Sequence, residues 1–265
     1  DIDNYINYQV SYIYFKNTDW PHNNVRLWRK NINPTEAELS RDNFGHDGKW
    51  RWLLFDTDDG FNKADLNAMI YATREDLPTD LLRHLLKNAE FQIQFLNRFA
   101  DHLNSTFLTD RVIQEIDDVQ AMLEPEMQEQ INRWHSSGSS MENWRENVAF
   151  LRSFAIRRPE IMTQHLVEYF DLDGTFLLAL STNPEKGFLR VNSIDILETT
   201  PGVMDPSNFK GNYFKNIPIN ISAIPYEGYR FSHWEGSVYH QGVKPTIQIK
   251  STCDIYLEPI FMPLD

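Results

Sequence analysis

The hydrophobic and polar positions of the first 172 residues follow a mainly helical pattern. Apolar residues that recur every three or four positions predict a helix over 3–15 and four or five helices between 80 and 172. Pro125 and Pro159 are expected to separate neighbouring helices in the second of these regions, because proline disfavours a helix interior.

Shorter alternating stretches within this helical part predict two strands, over 25–29 and 49–55. The residues between these strands, 31–48, are polar and rich in turn formers. They are therefore expected to form a loop.

The residues after 173 have a different composition, rich in glycine, proline and β-branched side chains. This pattern is typical of short strands separated by turns. Strands are predicted over 176–180, 188–192, 217–224, 229–234, 246–250 and 255–261. The sequence therefore predicts an α+β fold in two domains: a mainly helical domain with short β-hairpins over 1–173, then a small antiparallel β-domain over 174–265.

The 265 residues include 38 acidic and 25 basic side chains, which gives a net charge of −13. A field of this sign repels a phosphate backbone, so nucleic-acid binding is not expected. A nucleotide would need a metal ion to neutralise its phosphates. No apolar run approaches the ~20 residues of a membrane-spanning helix, so no transmembrane segment is expected. Cys253 is the only cysteine, which excludes an intrachain disulfide.

Two motifs beside the short strands contain residues suited to phosphoryl transfer. Asp19 precedes Asn24 by five positions in the loop after the first helix, and His22 lies between them. An acidic turn, 56–60, follows the second strand. In protein kinases, an aspartate accepts the substrate hydroxyl proton, while an asparagine and a later aspartate bind Mg²⁺. Oxygen ligands of these types are the ones that Mg²⁺ prefers.

The spacing alone leaves other interpretations open. Asp and Asn are common in turns, so Asp19 and Asn24 also fit simple turn chemistry. The acidic residues 56–59 equally fit a solvated turn. An EF-hand calcium loop does not fit this segment, because Gly60 stands at its fifth position and Asn67 replaces the final glutamate.

Two longer segments favour the kinase interpretation. Residues 17–29 and 49–58, NTDWPHNNVRLWR and KWRWLLFDTD, resemble the CotH family of atypical protein kinases, and the helical residues up to about 172 are also similar to that family. The resemblance implies an ATP-dependent kinase fold that uses Mg²⁺ or Mn²⁺. It implies that the catalytic residue is Asp19 and that the metal ligands are Asn24, Asp56 and Asp58. Asp59 stands where relatives often have a non-acidic residue, and it receives no role.

One part of a kinase has no counterpart in the sequence. A kinase needs an N-terminal lobe with a phosphate-covering loop and a strand lysine, and no G-x-G-x-x-G motif is present. We therefore expect the chain to be the C-terminal lobe of a longer kinase, joined to a tail domain. Alone, it is expected to have weak or no kinase activity.

The tail has a resemblance of its own. Residues 211–214, 217–223 and 228–236 resemble the β-repeats of bacterial surface proteins of the internalin B-repeat type, which implies a secreted or cell-surface bacterial protein. The predicted function is a kinase, related to a spore-coat protein, that transfers phosphate from ATP to secreted or surface proteins. The alternative is a non-catalytic surface scaffold or adhesion protein whose β-module binds a partner.

Overall fold

The computed structural model describes residues 1–32, 45–134, 139–237 and 244–264. Most of the loop predicted over 31–48 lies outside these residues. The chain divides into two compact units, residues 1–88 and residues 89–265. Both units contain helices and strands, and the α+β fold class is confirmed.

The first unit begins with a helix whose two ends are defined by local hydrogen bonds. The described elements of this unit are α1 (Ile2–Phe15), β1 (Leu27–Trp28), β2 (Arg51–Trp52), α2 (Ala68–Ala72) and α3 (Asp80–Leu85). The carboxylate of Asp1 caps α1 by accepting a hydrogen bond from the backbone N–H of Asn4 (3.0 Å). The helix ends at Lys16, which adopts the left-handed conformation.

The hairpin of β1 and β2 is shorter than the two predicted strands. Each strand contains two residues, and the pair is antiparallel. The buried guanidinium of Arg51 in β2 donates two hydrogen bonds to the carboxylate of Asp47, in the segment that leads into this strand (2.8 and 2.9 Å). These charge-assisted bonds hold the pKa of Asp47 well below its ordinary value.

The second unit starts with three long helices: α4 (Ala89–Leu103), α5 (Thr109–Trp134) and α6 (Met141–Tyr169). Pro125 and Pro159 lie inside α5 and α6, so the expected breaks at these residues were wrong. Proline cannot donate a hydrogen bond to the carbonyl four residues before it. For Pro159 that carbonyl belongs to Ala155, and the hydroxyl of Thr109 donates to it instead (3.2 Å). A neighbouring side chain thus binds the carbonyl that Pro159 leaves without its helical partner.

The strands of the second unit form two four-stranded sheets, with orders β6-β3-β10-β8 and β5-β4-β7-β9. They are β3 (Thr175–Ser181), β4 (Gly187–Val191), β5 (Ile194–Ile196), β6 (Asn208–Phe214), β7 (Ile219–Pro225), β8 (Tyr229–Gly236), β9 (Thr246–Ile249) and β10 (Ile255–Pro263). Strands β3 and β10 pair in parallel, which differs from the antiparallel pairing predicted for residues 174–265. A long connection rather than a hairpin joins these two strands, and such a connection permits parallel pairing.

Polar side chains of α4 and of the residue just after it bind the strands. The fully buried carboxylate of Asp101 accepts hydrogen bonds from the side chains of Asn192, Ser193 and Tyr213 and from the backbone N–H of Ser193. Asn104 makes two hydrogen bonds to the backbone of Asn212 in β6 (2.8 and 2.9 Å). The predicted boundary at 173/174 matches the change from α6 to β3, but it lies within the second unit. A separate domain over 174–265 therefore stays a prediction.

Candidate functional site

Asp19 and Asn24 lie in direct contact in the loop that follows α1. The carboxylate of Asp19 accepts hydrogen bonds from the side-chain amides of Asn23 (2.8 Å) and Asn24 (2.9 Å). The imidazole Nε2 of His22 lies 3.6 Å from the same carboxylate. The Asp19 side chain is about half exposed, so two amides orient it while it still faces solvent.

Asn17 joins this loop to the acidic turn. Its buried side chain accepts a hydrogen bond from the backbone N–H of Asp19 (2.9 Å) and donates one to the backbone carbonyl of Asp56 (3.1 Å). One amide group therefore fixes the backbones of both predicted motifs next to each other. Phe55, the residue before Asp56, is held by the hydroxyl of Tyr12, which donates to its carbonyl (2.6 Å).

The carboxylates of Asp56 and Asp58 differ from that of Asp19 in their contacts. Both residues are exposed, and within the described ranges neither carboxylate receives a hydrogen bond or an ion pair. Asp56 has a φ of 53° and Asn24 a φ of 58°. Asp and Asn tolerate this left-handed backbone better than most residues, so their presence here also satisfies the turn geometry. Both the turn interpretation and the metal interpretation fit these two positions.

Asp59, to which no sequence motif assigns a role, makes a second contact between the two motifs. Its carboxylate accepts hydrogen bonds from the backbone N–H (3.0 Å) and the hydroxyl of Thr18. These bonds, with the hydroxyl of Thr18 first, lower the pKa of Asp59 below its ordinary value. Thr18 is 41 positions away, so no local spacing in the sequence could indicate this contact.

Further contacts fix the same turn and loop within the first unit. The hydroxyl of Tyr71 in α2 donates to the carbonyl of Thr18 (2.7 Å). Burial raises the pKa of Tyr71, and the nearby charges of Asp19 and Asp59 act in the same direction. The backbone N–H of Phe61 donates to the carbonyl of Phe15 at the end of α1 (2.8 Å). The loop is thus attached to α2, and the turn to α1.

The donor types of this site fit a hard divalent cation. Asn24 uses its amide nitrogen to bind Asp19, which leaves its amide oxygen as the group open to a metal. Asp56 and Asp58 add exposed carboxylates. No group of three His, Cys, Asp or Glu residues suited to a metal occurs among the residues that the structure describes. Such a cluster is not required, because Mg²⁺ in kinase-type sites binds one or two carboxylates, an amide and phosphate oxygens.

Comparison with known proteins decides the family. A family model described as CotH kinase protein matches residues 1–162. The chain belongs to the CotH kinase family. No curated protein and no solved structure matches it.

The CotH match covers α1 to most of α6 and includes Asp19, Asn24, Asp56, Asp58 and Asp59. The strands after residue 174 lie beyond it, so their resemblance to bacterial surface repeats stays a prediction. The described helices include none that is long and apolar enough to cross a membrane.

The second unit contains a cleft with a different set of lining residues. It has a volume of about 540 Å³, and its lining includes Phe188, Tyr226, Glu198 and Met204. None of the predicted site residues lines it, and its lining lies entirely outside the part that matches the CotH family. The cleft therefore adds nothing to the kinase assignment.

Proposed function

We propose that residues 1–173 contribute the catalytic loop and the metal-binding turn of an ATP-dependent protein kinase that phosphorylates secreted or surface proteins. Asp19 is the catalytic residue, and Asn24, Asp56 and Asp58 are the metal ligands. The observation that carries this proposal is the side chain of Asn17, which binds the backbones of Asp19 and Asp56 at once. The family match supports the same chemistry.

In this proposal, the two motifs have different tasks. The amides of Asn23 and Asn24 hold the Asp19 carboxylate in one orientation, from which it accepts the proton of a substrate hydroxyl. The amide oxygen of Asn24 and the carboxylates of Asp56 and Asp58 would hold Mg²⁺ or Mn²⁺. The bound cation would neutralise phosphate charge in a chain whose own net charge is −13.

The sequence contains no G-x-G-x-x-G motif, which is the glycine-rich loop that covers the nucleotide phosphates in protein kinases. We therefore expect residues 1–265 alone to transfer little phosphate. The assay accordingly uses the full-length protein.

Transfer of radiolabelled phosphate from ATP to a protein substrate, or to the kinase itself, tests the proposal. Asp19→Asn should lower the rate by about 10²–10⁴-fold, the usual effect of losing a general base. Asp110→Asn is the matched control, because Asp110 is an exposed aspartate in the first turn of α5. Equal rates for Asp19→Asn and the control would contradict the catalytic role.

The alternative is a non-catalytic surface scaffold or adhesion protein, and the missing glycine-rich loop is the feature that favours it. A folded full-length protein that transfers no phosphate with Mg²⁺ or Mn²⁺ would support this alternative.

A further inference from the structure

We propose that Asp59 is a positioning residue that fixes the loop carrying Asp19 to the turn carrying Asp56 and Asp58. This inference rests on the proposed kinase function, and it gives a task to an acid that no motif assigned. Asp59 does not touch the reacting atoms in this account. It acts through Thr18, the residue directly before Asp19.

The contacts of Thr18 carry the first step. The carboxylate of Asp59 binds both the backbone N–H (3.0 Å) and the hydroxyl of Thr18. On the opposite side, the hydroxyl of Tyr71 binds the carbonyl of Thr18 (2.7 Å). Every polar group of Thr18 is therefore bonded, and the peptide that leads into Asp19 is held on both sides.

Asp59 itself is held in place by its own neighbours. The side-chain amide of Asn62 donates to the carbonyl of Asp59 (2.7 Å) and to its carboxylate (3.3 Å). The ammonium of Lys16, which is buried at the end of α1, donates to the amide oxygen of Asn62. A chain of hydrogen bonds thus runs from Lys16 through Asn62 and Asp59 to Thr18.

The three acids of the turn differ in a way that separates their roles. In the part of the chain that the structure describes, the carboxylates of Asp56 and Asp58 are exposed and receive no hydrogen bond, while that of Asp59 is bonded to the backbone of another loop. Two acids are therefore available to a cation, and the third is used to hold the catalytic loop. A misplacement of about 1 Å in such a loop can lower a rate about 100-fold.

Variants of Thr18 in the full-length protein test the contact without removing an acid from the turn. Thr18→Val removes the hydroxyl that Asp59 binds, whereas Thr18→Ser keeps it. Thr57→Val is the matched control, because Thr57 lies in the same turn, is exposed and has no side-chain partner among the described residues. We expect Thr18→Val and Asp59→Ala to lower kcat by about 10- to 100-fold, with the KM for ATP and the affinity for Mn²⁺ changed less than twofold.

Two further measurements separate positioning from a structural role and from metal binding. Thr18→Ser should restore kcat to within about threefold of the wild type, and the double variant of Thr18→Val and Asp59→Ala should lower kcat no further than Asp59→Ala alone. A loss of Mn²⁺ affinity in Asp59→Ala, without an effect of Thr18→Val on kcat, would overturn the proposal and make Asp59 a metal ligand. Equal losses of kcat in Thr57→Val would also overturn it.

Hydrogen exchange gives a readout that does not depend on kinase activity. The backbone N–H of Thr18 should exchange at least about tenfold faster in Asp59→Ala than in the wild type, because it loses its acceptor. If the wild type transfers no phosphate but this exchange difference is present, the proposed function fails while the contact stands. An unchanged exchange rate would overturn the positioning role itself.

Discussion

The buried carboxylate of Asp101 should control part of the pH dependence of stability in the second unit. Burial raises its pKa to about 6 from 3.8, although the hydrogen bonds from Ser193 and Asn192 act in the opposite direction. A raised pKa means that the folded state binds this proton more tightly than the unfolded state. The resulting stabilisation is complete below about pH 4 and is lost as the pH rises through about 6.

The size of the effect follows from the two pKa values. A difference of about 2 between the folded and unfolded states corresponds to about 3 kcal/mol in the free energy of unfolding. Asp101→Asn cannot titrate, so the difference in unfolding free energy between the wild type and this variant should fall by about 3 kcal/mol from about pH 3 to pH 7. Ionisable groups that are present in both proteins contribute equally to the two unfolding free energies, so their contributions cancel in this difference.

Urea denaturation at several pH values measures this difference directly. Asp110→Asn is the control, because it makes the same substitution at an exposed aspartate of the same unit. A difference that stays constant with pH would refute the effect of burial on Asp101. A difference that grows with pH would mean that the hydrogen bonds from Ser193, Asn192 and Tyr213 outweigh burial and favour the charged carboxylate.

Two substitutions test the amides that join separate segments. Asn104→Ala removes two hydrogen bonds to the backbone of Asn212. Thermal and urea denaturation should therefore show a free energy of unfolding that is lower by about 2–3 kcal/mol. A decrease of less than about 0.5 kcal/mol would contradict this contact. Asn17→Ala removes the hydrogen bonds to the backbones of Asp19 and Asp56. It should lower the free energy of unfolding by about 2 kcal/mol in the same assays. It should also lower the rate of phosphate transfer by more than about tenfold. Unchanged transfer in a folded Asn17→Ala protein would contradict the bridging role.

Local patterns in the sequence predicted those elements whose burial is regular. Helix α1 and six of the eight strands of the second unit coincide with predicted segments, because their apolar residues recur at the helix or strand period. Strand β6 (Asn208–Phe214) was missed although its buried positions, Phe209, Gly211 and Tyr213, alternate. Glycine at the middle buried position has no apolar side chain, and this obscured the alternation.

Contacts between distant residues could not be predicted in the same way. The carbonyl of Ala155, which Pro159 leaves without its helical partner, accepts a hydrogen bond from the hydroxyl of Thr109 on another helix. In the candidate site, the five-residue spacing was enough to identify Asp19 and Asn24, because both lie on one loop. The bond from Thr18 to Asp59 joins residues far apart in sequence and has no local signature.

A calorimetric titration of the full-length protein with Mn²⁺ tests the assignment of the metal site most directly. Asp56→Asn should raise the dissociation constant by at least about tenfold, or about 1.4 kcal/mol, because the cation loses an anionic oxygen ligand. Asp19→Asn should change it less than about twofold, because Asp19 acts toward the substrate hydroxyl. Equal changes in the two variants, or no Mn²⁺ binding by the wild type, would contradict the division of roles on which this account depends.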